Sequence, residues 1–422
     1  MDAGGAVQFG SLLRQARKQR GMSQAELGGE RYTGSYISHL ESGRRAASPE
    51  VIDFLSRRLG VSPLEWGTSP AGDARSALLH DGAIEDLLVA ERAWSERDWG
   101  AAITHSKQAA ESAAASGDST RHWEALYVMA QARFSGGEYA AAGELAEQLA
   151  EHQTARRFAV ARAQALSLAS TASRAADRLG WSIAFGARAV EAASAAPPII
   201  LTEALMSLVS ALGEAGHDLA ETRPLLDRLE QLAPRLGSPH SRGTVAWTIG
   251  SALCMGGLAQ PGLAHHDTAR ELLDPKRDLR LWLRFHSVAA RWRLNADVVD
   301  GVPELLRAAS FGLDIVGNAH DRAELRQVEA MFALRRHEPE EALVIMQGVL
   351  ADPETGAPEV SHSGSLLILA HALRALGRED EARAEYARAA NAYEIEGRLR
   401  AAVDAWRRSV GQPALTQFLT MT

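Results

Sequence analysis

The stretch MSQAELGGERYTGSYISHLESGRR, residues 22–45, decides how the N-terminal part of the chain folds. Ser23 is a good helix N-cap, and Glu26 three residues later completes a capping-box pattern, so a short helix is expected over Gln24–Gly28. Thr33 is a second N-cap. The helix it opens buries Ile37 and Leu40, and Gly43 stands just past its end as a stop signal. Upstream, Phe9 to Arg20 places Phe9, Leu12, Leu13 and Ala16 at helical spacing, with Arg14, Arg17, Lys18 and Arg20 on the other side. Downstream, Ser48-Pro49 opens a helix with Val51, Ile52, Leu55 and Leu59 inward, and Ser62-Pro63 opens a short fifth one anchored by Leu64 and Trp66.

Five short helices with a tight turn between the second and third make a helix-turn-helix arrangement. The quoted stretch resembles the lambda-repressor/Cro-like (Xre) DNA-binding domains, whose pattern is Ser-Gln-x-x-Leu followed by Ser/Thr-x-x-Tyr-Ile-Ser-x-Leu-Glu-x-Gly-Arg. The segment Ser23–Tyr36 is one residue shorter than the common form. The resemblance implies a DNA-contacting set of Gln24, Thr33, Gly34, Ser35, Tyr36, Ser38, His39, Ser42, Arg44 and Arg45. In it Gln24 holds a phosphate, while Gly34, Ser35 and His39 face base edges with Ser38 nearby. Ser42, Arg44 and Arg45 bind the backbone beyond, and Glu41 ties the domain together. The chemistry agrees, because a helix N-terminus and arginines suit phosphates while Ser and His can hydrogen-bond in the major groove. Gly34 has no side chain with which to read a base. A helical protein–protein adaptor would share this fold; the polar recognition face and two flanking arginines favour DNA.

Beyond residue 70 the chain repeats. Residues 68–76 read as a linker, dividing a DNA-binding domain over 1–67 from a repeat domain over 77–422. Helical segments then break near Asp98, Gly137, Gly180, His217, Ala259, Gly301, Pro339 and Arg378, a mean period of about 40 residues, within the range of helical-pair repeats. The phrases SERDWGAAITHSKQAA (95–110), FSGGEYAAAGELAEQLA (134–150) and ALGREDEARAEYARAANAY (375–393) share a small or polar turn followed by Ala at helix-contact spacing. They resemble tetratricopeptide repeats, with Ala370, Gly377 and Ala382 at that family's small positions. The expected fold is therefore all-α: a five-helix helix-turn-helix domain followed by a tetratricopeptide-like right-handed α-solenoid. Leu373 and Leu399–Trp406 read as outward positions of a terminal cap. A non-repetitive helical bundle is the alternative.

Composition sets the outer bounds. Apolar residues make up 46% and charged residues 23% of the 422, which excludes a wholly disordered chain. No apolar run approaches the roughly 18 residues of a membrane span, and no secretory signal is evident. Cys254 is the one cysteine, so no internal disulfide can form, and a cytoplasmic location is expected. The net charge of −8 is uneven: residues 1–68 carry nine basic and seven acidic residues, and the remainder is acidic. A slightly basic head on an acidic body suits a DNA-contacting module, and a uniformly acidic enzyme with a neutral N-terminus has much the same distribution.

Stacked helix pairs create a concave inner wall where such solenoids bind ligands. By analogy with the repeat, Trp247, Ser251 and Cys254 fall on that wall, followed by Arg280, Arg284 and Arg291 on one face of a helix over about 278–294. The opposite face is expected to carry Leu281, Phe285, Val288 and Trp292. Trp247, Ser251, Arg280, Arg284 and Arg291 form the candidate ligand-binding set, suited to a carboxylate because arginine gives bidentate hydrogen bonds. A plain solvated arginine face would give the same pattern. His265-His266-Asp267 is a poor metal fragment, since adjacent helical residues point apart, and no P-loop, HExxH, GxSxG or CxxC motif is present.

No cofactor or metal is implied, and a catalytic role is not expected. The domain order resembles the intracellular peptide-pheromone receptors of Gram-positive bacteria, which implies a homodimer on an inverted-repeat operator in double-stranded DNA, with a peptide or small-molecule signal. That group grips its peptide with concave-wall asparagines, whereas this chain has only Asn295, Asn318 and Asn391. A regulator whose repeats serve only as a dimerisation or partner scaffold fits the same sequence.

Overall fold

The computed structural model describes residues 3–61, 70–355 and 362–414. Among them are 22 α-helices and no strand. The chain divides into two compact units, one of Met1–Asp86 with Gln108–His122, the other of Leu87–Lys107 with Trp123–Thr422.

In the first unit, helices α1 (Ala3–Gln19), α2 (Gln24–Gly28), α3 (Gly34–Glu41) and α4 (Pro49–Leu59) enclose a core of Phe9, Leu13, Leu27, Ile37, Leu40, Leu55 and Leu59, each fully buried. The capping box forms as the sequence predicts: the Ser23 backbone N–H donates to Glu26 Oε2 at 2.7 Å, and the Glu26 N–H donates to Ser23 Oγ at 3.2 Å. Thr33 Oγ1 accepts from the Tyr36 N–H at 3.2 Å. Helices α1 and α3 cross at Gly10, where a Cβ would lie 2.4 Å from the Leu40 carbonyl oxygen, so any larger residue would push the two apart. The expected fifth helix with Leu64 and Trp66 lies outside the described residues.

The expected linker differs. From Pro70 onward it belongs to helix α5 (Pro70–Ser95), for which Pro70 supplies a favourable first position. Helix α6 (Trp99–Ser116) follows. Successive pairs are α7 (Ser119–Gly136) with α8 (Tyr139–Glu151), α10 (Ala159–Ala175) with α11 (Leu179–Ala192), α12 (Pro198–Glu214) with α13 (Leu219–Leu232), and α14 (Pro239–Met255) with α15 (Ala259–Leu272). Then come α16 (Leu279–Asn295) with α17 (Val302–Val316), α18 (Ala319–Arg335) with α19 (Pro339–Ala351), and α20 (Ser363–Ala375) with α21 (Glu379–Glu396). A one-turn helix α9 (Gln153–Arg157) is inserted after α8, and α22 (Leu399–Ser409) ends the array. The breaks expected from sequence all fall at or beside these intra-pair turns.

One backbone device sets the period. The turn inside each pair holds a residue at positive φ: Arg97, Gly137, Asp177, Gly216, Gly257, Asp297, His337 and Gly377. They stand 40 residues apart apart from one interval of 39 and one of 41. At each, the following residue donates its N–H five residues back, as Asp98 does to Ala93 and Arg378 to Leu373, both at 2.9 Å. This is the Schellman end of a helix, which satisfies otherwise orphaned carbonyls. Ala370 and Ala382, the small positions named above, are fully buried between paired helices. Leu373 is buried too, not outward, because its carbonyl and side chain belong to this helix end.

The coil also meets itself. Arg97 Nη2 donates to the Val316 carbonyl at 2.8 Å, and Asn318 Nδ2 donates to Tyr139 Oη at 2.7 Å. Arg398 Nη2 lies 3.3 Å from Asp177 Oδ1 and 3.4 Å from Glu214 Oε2, and Arg400 Nη2 lies 2.7 Å from Asp218 Oδ1. Residues some 180–220 apart in sequence are thus joined, which closes one turn of the array around an interior space.

Candidate functional site

Two surfaces carry the residues singled out from sequence. On the first unit, Arg17 Nε pairs with Glu41 Oε1 at 2.5 Å, and Gln24 Nε2 donates to Glu41 Oε2 at 2.8 Å. Burial opposes ionisation of Glu41, but the hydrogen bonds from Arg17 and Gln24 hold its carboxyl below the ordinary range. Glu41 therefore locks α1, α2 and α3 together, and the Gln24 amide is engaged inside the domain. Ser35, His39, Ser42, Arg44 and Arg45 are exposed, while Tyr36 and Ser38 are half-buried. The Tyr36 ring stacks on Tyr32 with centroids 5.1 Å apart, and the Arg45 guanidinium sits 4.8 Å above it. Thr33 serves as the cap of α3. Gly34 lies against α2, where a Cβ would be 3.4 Å from the Ala25 nitrogen, so its small size serves helix contact. The α3 face thus offers hydroxyls, an imidazole and two flanking guanidiniums.

The second surface is an interior cavity of about 910 Å³ within the repeat unit. It is lined by the first helix of successive pairs, α7, α10, α12, α14, α16, α18 and α20, and by α22. Trp247, Ser251, Arg280, Arg284 and Arg291 all line it. The register is regular. Gln164, Glu203, Thr244, Arg284 and Glu324 occupy equivalent positions on successive helices, as do Gln131, Thr171, Ser210, Ser251, Arg291 and Met331.

Val288 and Trp292 also face the cavity, as does Leu281 beside Arg280, against the expectation that they would oppose the arginines. Residues four and eight apart share a helix face, so both lie within the arc that holds Arg284; only Phe285 points into the core, fully buried. Cys254 is a second correction. It is wedged between α14 and α15, where a Cβ on Gly262 would come within 2.4 Å of its sulfur, and burial pushes its thiol up to about 12.

The arginine stripe is not a solvated face. Arg280 Nε lies 2.6 Å from Asp321 Oδ2 and Arg284 Nε 2.9 Å from Asp321 Oδ1, with Asp321 wholly buried. Arg291 Nη2 donates to Gln327 Oε1 at 3.2 Å. Arg174 Nη1 lies 2.6 Å from Glu214 Oε1. Burial opposes the charge of Glu324, yet His320, Arg291 and Arg284 hold its carboxyl at about 2. Asp177 goes the other way: burial, reinforced by Glu396, pushes it to about 7 despite Arg398.

Sequence reasoning missed Tyr127, Arg174, Glu203, Glu214 and Arg398, all of which line the cavity. Stepping 40 residues from Trp247 and Arg284 would have found Tyr127 and Glu203 to within a position. Arg398 reaches the wall only because the coil closes. Of the three asparagines considered, Asn295 lines the cavity and Asn318 holds Tyr139. His266 accepts or donates at 3.1 Å to Ser251 Oγ, and Asp267 pairs with Arg293 at 2.5 Å. Among the described residues no group of three metal-ligating side chains converges, and no helix is long and apolar enough to cross a membrane.

The helix-turn-helix family model matches residues 13–66. The N-terminal domain is a helix-turn-helix domain. No curated protein matches the sequence. Among solved structures, a Rap protein complexed with Competence and Sporulation Factor is similar over 94% of this chain and 99% of its own, at 10% identity and a TM-score of 0.56. That likeness is one of fold, and it agrees with the tetratricopeptide-like helical repeats described above. PlcR of Bacillus thuringiensis, in complex with the peptide PapR7 and DNA, matches over 74% of this chain and 96% of its own, at 13% identity and a TM-score of 0.31. The apo form of the quorum sensor NprR of B. thuringiensis matches over 78% and 86%, at 11% identity and 0.45.

Proposed function

We propose that the chain is a cytoplasmic, non-enzymatic transcription regulator whose helix-turn-helix domain reads double-stranded DNA and whose repeat unit binds a signalling ligand that modulates this. The observation that carries the reading is the helix-turn-helix domain with an exposed α3 face of Ser35, His39, Ser42, Arg44 and Arg45. Serine and histidine can hydrogen-bond base edges, and the two arginines suit phosphates. The domain spans about 1–67, and the repeat unit supplies the sensor. Support for a ligand comes from the cavity, which is large, mixed in polarity and built by equivalent positions of successive repeats. The Rap protein of the same fold was solved with Competence and Sporulation Factor bound, and a peptide or small molecule is the corresponding signal here.

A homodimer on an inverted repeat follows from the short recognition helix, with half-sites about 34 Å apart. Support for its interface is the stripe Leu399, Val403 and Trp406 on α22, exposed by 62%, 46% and 36%. A ligand modulates DNA binding only through unequal affinity for two arrangements of the dimer, and a tenfold effect needs about 1.4 kcal/mol.

Gel-shift assays on the protein's own promoter test the DNA reading. Arg44→Ala should weaken binding to all sequences and flatten the salt dependence. His39→Ala should cost about 1–3 kcal/mol at one base position. Wild-type binding by both variants would refute it.

A further inference from the structure

Three arginines of α16 face the cavity, and two carboxylates of α18, Asp321 and Glu324, are set against them. Asp321 is taken by two of the three: Arg280 and Arg284 place Nε 2.6 and 2.9 Å from its oxygens. Glu324 has its one ion pair among the described residues with His320, at 3.7 Å, and burial holds that imidazole toward its neutral form. Arg291 has no ion pair among the described residues. Its partners are neutral: Nη2 donates to Gln327 Oε1 at 3.2 Å and, at 3.5 Å, to the Glu324 backbone carbonyl. Three cations against two anions leave this wall one positive charge in excess, and the excess resides at Arg291.

The guanidinium is held in place without being neutralised. Gln327, buried on α18, turns Oε1 to Arg291 and donates from Nε2 to Ser365 Oγ of α20 at 3.1 Å. Gly364 packs against the same amide, where a Cβ would lie 2.8 Å from Gln327 Oε1. Two further helices thus fix the Arg291 head through an uncharged group. An arginine serving only the fold is expected opposite a carboxylate, as Arg280 is. Arg291 Nε is sealed from solvent, whereas Nη1 is not, and Nη1 has no acceptor among the described residues. One turn along α16, Asn295 also lines the cavity, and its amide makes no hydrogen bond among the described residues. Residues four apart share a helix face, so the two side chains open on the same space. Val288, one turn back, and Met331, at the equivalent position of α18, flank them with apolar surface.

We infer that Arg291, with Asn295 beside it, receives a carboxylate monoanion carried on an apolar body. The inference rests on the reading of the cavity as a ligand site. It narrows the arginine stripe to the one guanidinium with a charge to spare, since Asp321 occupies the other two. Nη1 carries two hydrogens for the carboxylate, and the Asn295 amide supplies a further donor. One excess charge matches one carboxylate, where a phosphate dianion would leave the wall negative. The carboxylate can belong to a free organic acid or to the C-terminus of a peptide.

Isothermal titration of the full chain at neutral pH tests this with two matched pairs of probes. 3-Phenylpropionate represents a free acid, with its primary amide as the neutral counterpart. A short acetylated peptide of apolar residues with a free C-terminus represents the peptide source, with the same peptide amidated as its counterpart. At least one acid should bind wild type about tenfold or more tighter than its amide, a difference of about 1.4 kcal/mol. The pair that shows the difference identifies the source. It should vanish in Arg291→Gln, which removes the charge. It should vanish equally in Gln327→Glu, which supplies the missing carboxylate at nearly constant shape and can still bond Ser365. Circular dichroism checks that each variant folds, and the wild-type comparison decides where one does not. Equal binding of acid and amide by wild type, an acid preference kept by either folded variant, or no acid binding at millimolar concentration would overturn the inference. Equal binding removes this subsite while leaving the cavity a ligand site, so the two readings fail separately. Gel shifts with the same probes test the regulatory reading. An acid that binds through Arg291 but leaves promoter affinity unchanged supports the subsite and refutes ligand control of DNA binding.

Discussion

Gly250→Ala sets two effects of opposite sign against each other. Alanine favours a helix interior over glycine by about 1 kcal/mol, so propensity alone predicts stabilisation. The contact between α14 and α15 predicts the reverse. A Cβ at position 250 would lie 2.5 Å from His266 Cδ2 and 2.7 Å from the Gly262 carbonyl oxygen. The imidazole could turn, at the expense of its 3.1 Å contact with Ser251, but the carbonyl is backbone and cannot swing aside. Overpacking of this kind costs about 1–3 kcal/mol, with more where backbone must move. The net expectation is a loss of about 1–2 kcal/mol. Gly348 on α19 is the control, since a Cβ there meets nothing within 4 Å. Gly348→Ala should gain up to about 1 kcal/mol. Thermal unfolding followed by circular dichroism should show Tm falling by a few degrees for the first variant and rising slightly for the second. If both variants raise Tm, the two helices do not meet at the distance described. The same helix presents Trp247 and Ser251 to the cavity, so Gly250→Ala should also weaken any ligand that leans on this wall.

Asp177 predicts a pH dependence. Its folded carboxyl, at about 7, lies above the ordinary aspartate value, so the folded state holds an extra proton between about pH 4 and 7. Stability should fall as pH rises through that window, by at most about 4 kcal/mol, and Asp177→Asn should flatten the profile of Tm against pH. An unchanged slope would show that the proton resides elsewhere. His337 is exposed at φ 61°, so His337→Gly should relieve the left-handed strain and raise Tm, by about 1 kcal/mol or less after glycine's entropy is counted; a lower Tm would contradict that backbone. Val403→Asp, on the exposed stripe of α22, should convert the proposed dimer to monomer in sedimentation without loss of helicity, and an unchanged dimer would place the interface elsewhere.

The helices of the first unit were legible because their ends are written locally. Ser23 with Glu26, Thr33 and Gly43 act within one turn, and the observed bounds of α2 and α3 coincide with them. The repeat was legible as a rhythm but not as a phrase in the middle of the array. Of the five middle turn positions, three carry Asp177, Asp297 or His337 in place of glycine, as Arg97 does in the first, so the strongest marker is missing at these while the geometry persists. Aspartate and histidine tolerate the left-handed region better than most residues, and Arg97 is further tied by its bond to Val316. Trp247 and Ser251 on α14 and the three arginines of α16 could be named from the repeat analogy and helix spacing, whereas Cys254, Val288 and Trp292 were placed on the wrong side. Which arginines were already partnered could not, because Asp321, Glu214 and Asp177 arrive from other repeats.

An open stack of repeats can gain or lose a unit during evolution at little expense, since each contacts only its neighbours. Here Arg398 must reach Asp177, and Asn318 must reach Tyr139. Inserting or deleting one 40-residue unit between the members of either pair would carry them out of reach and leave partly buried polar groups without partners. Closure therefore counts the repeats: a whole unit can be added or lost without breaking these contacts only outside the joined residues, whereas a short insertion such as α9 is accommodated between them.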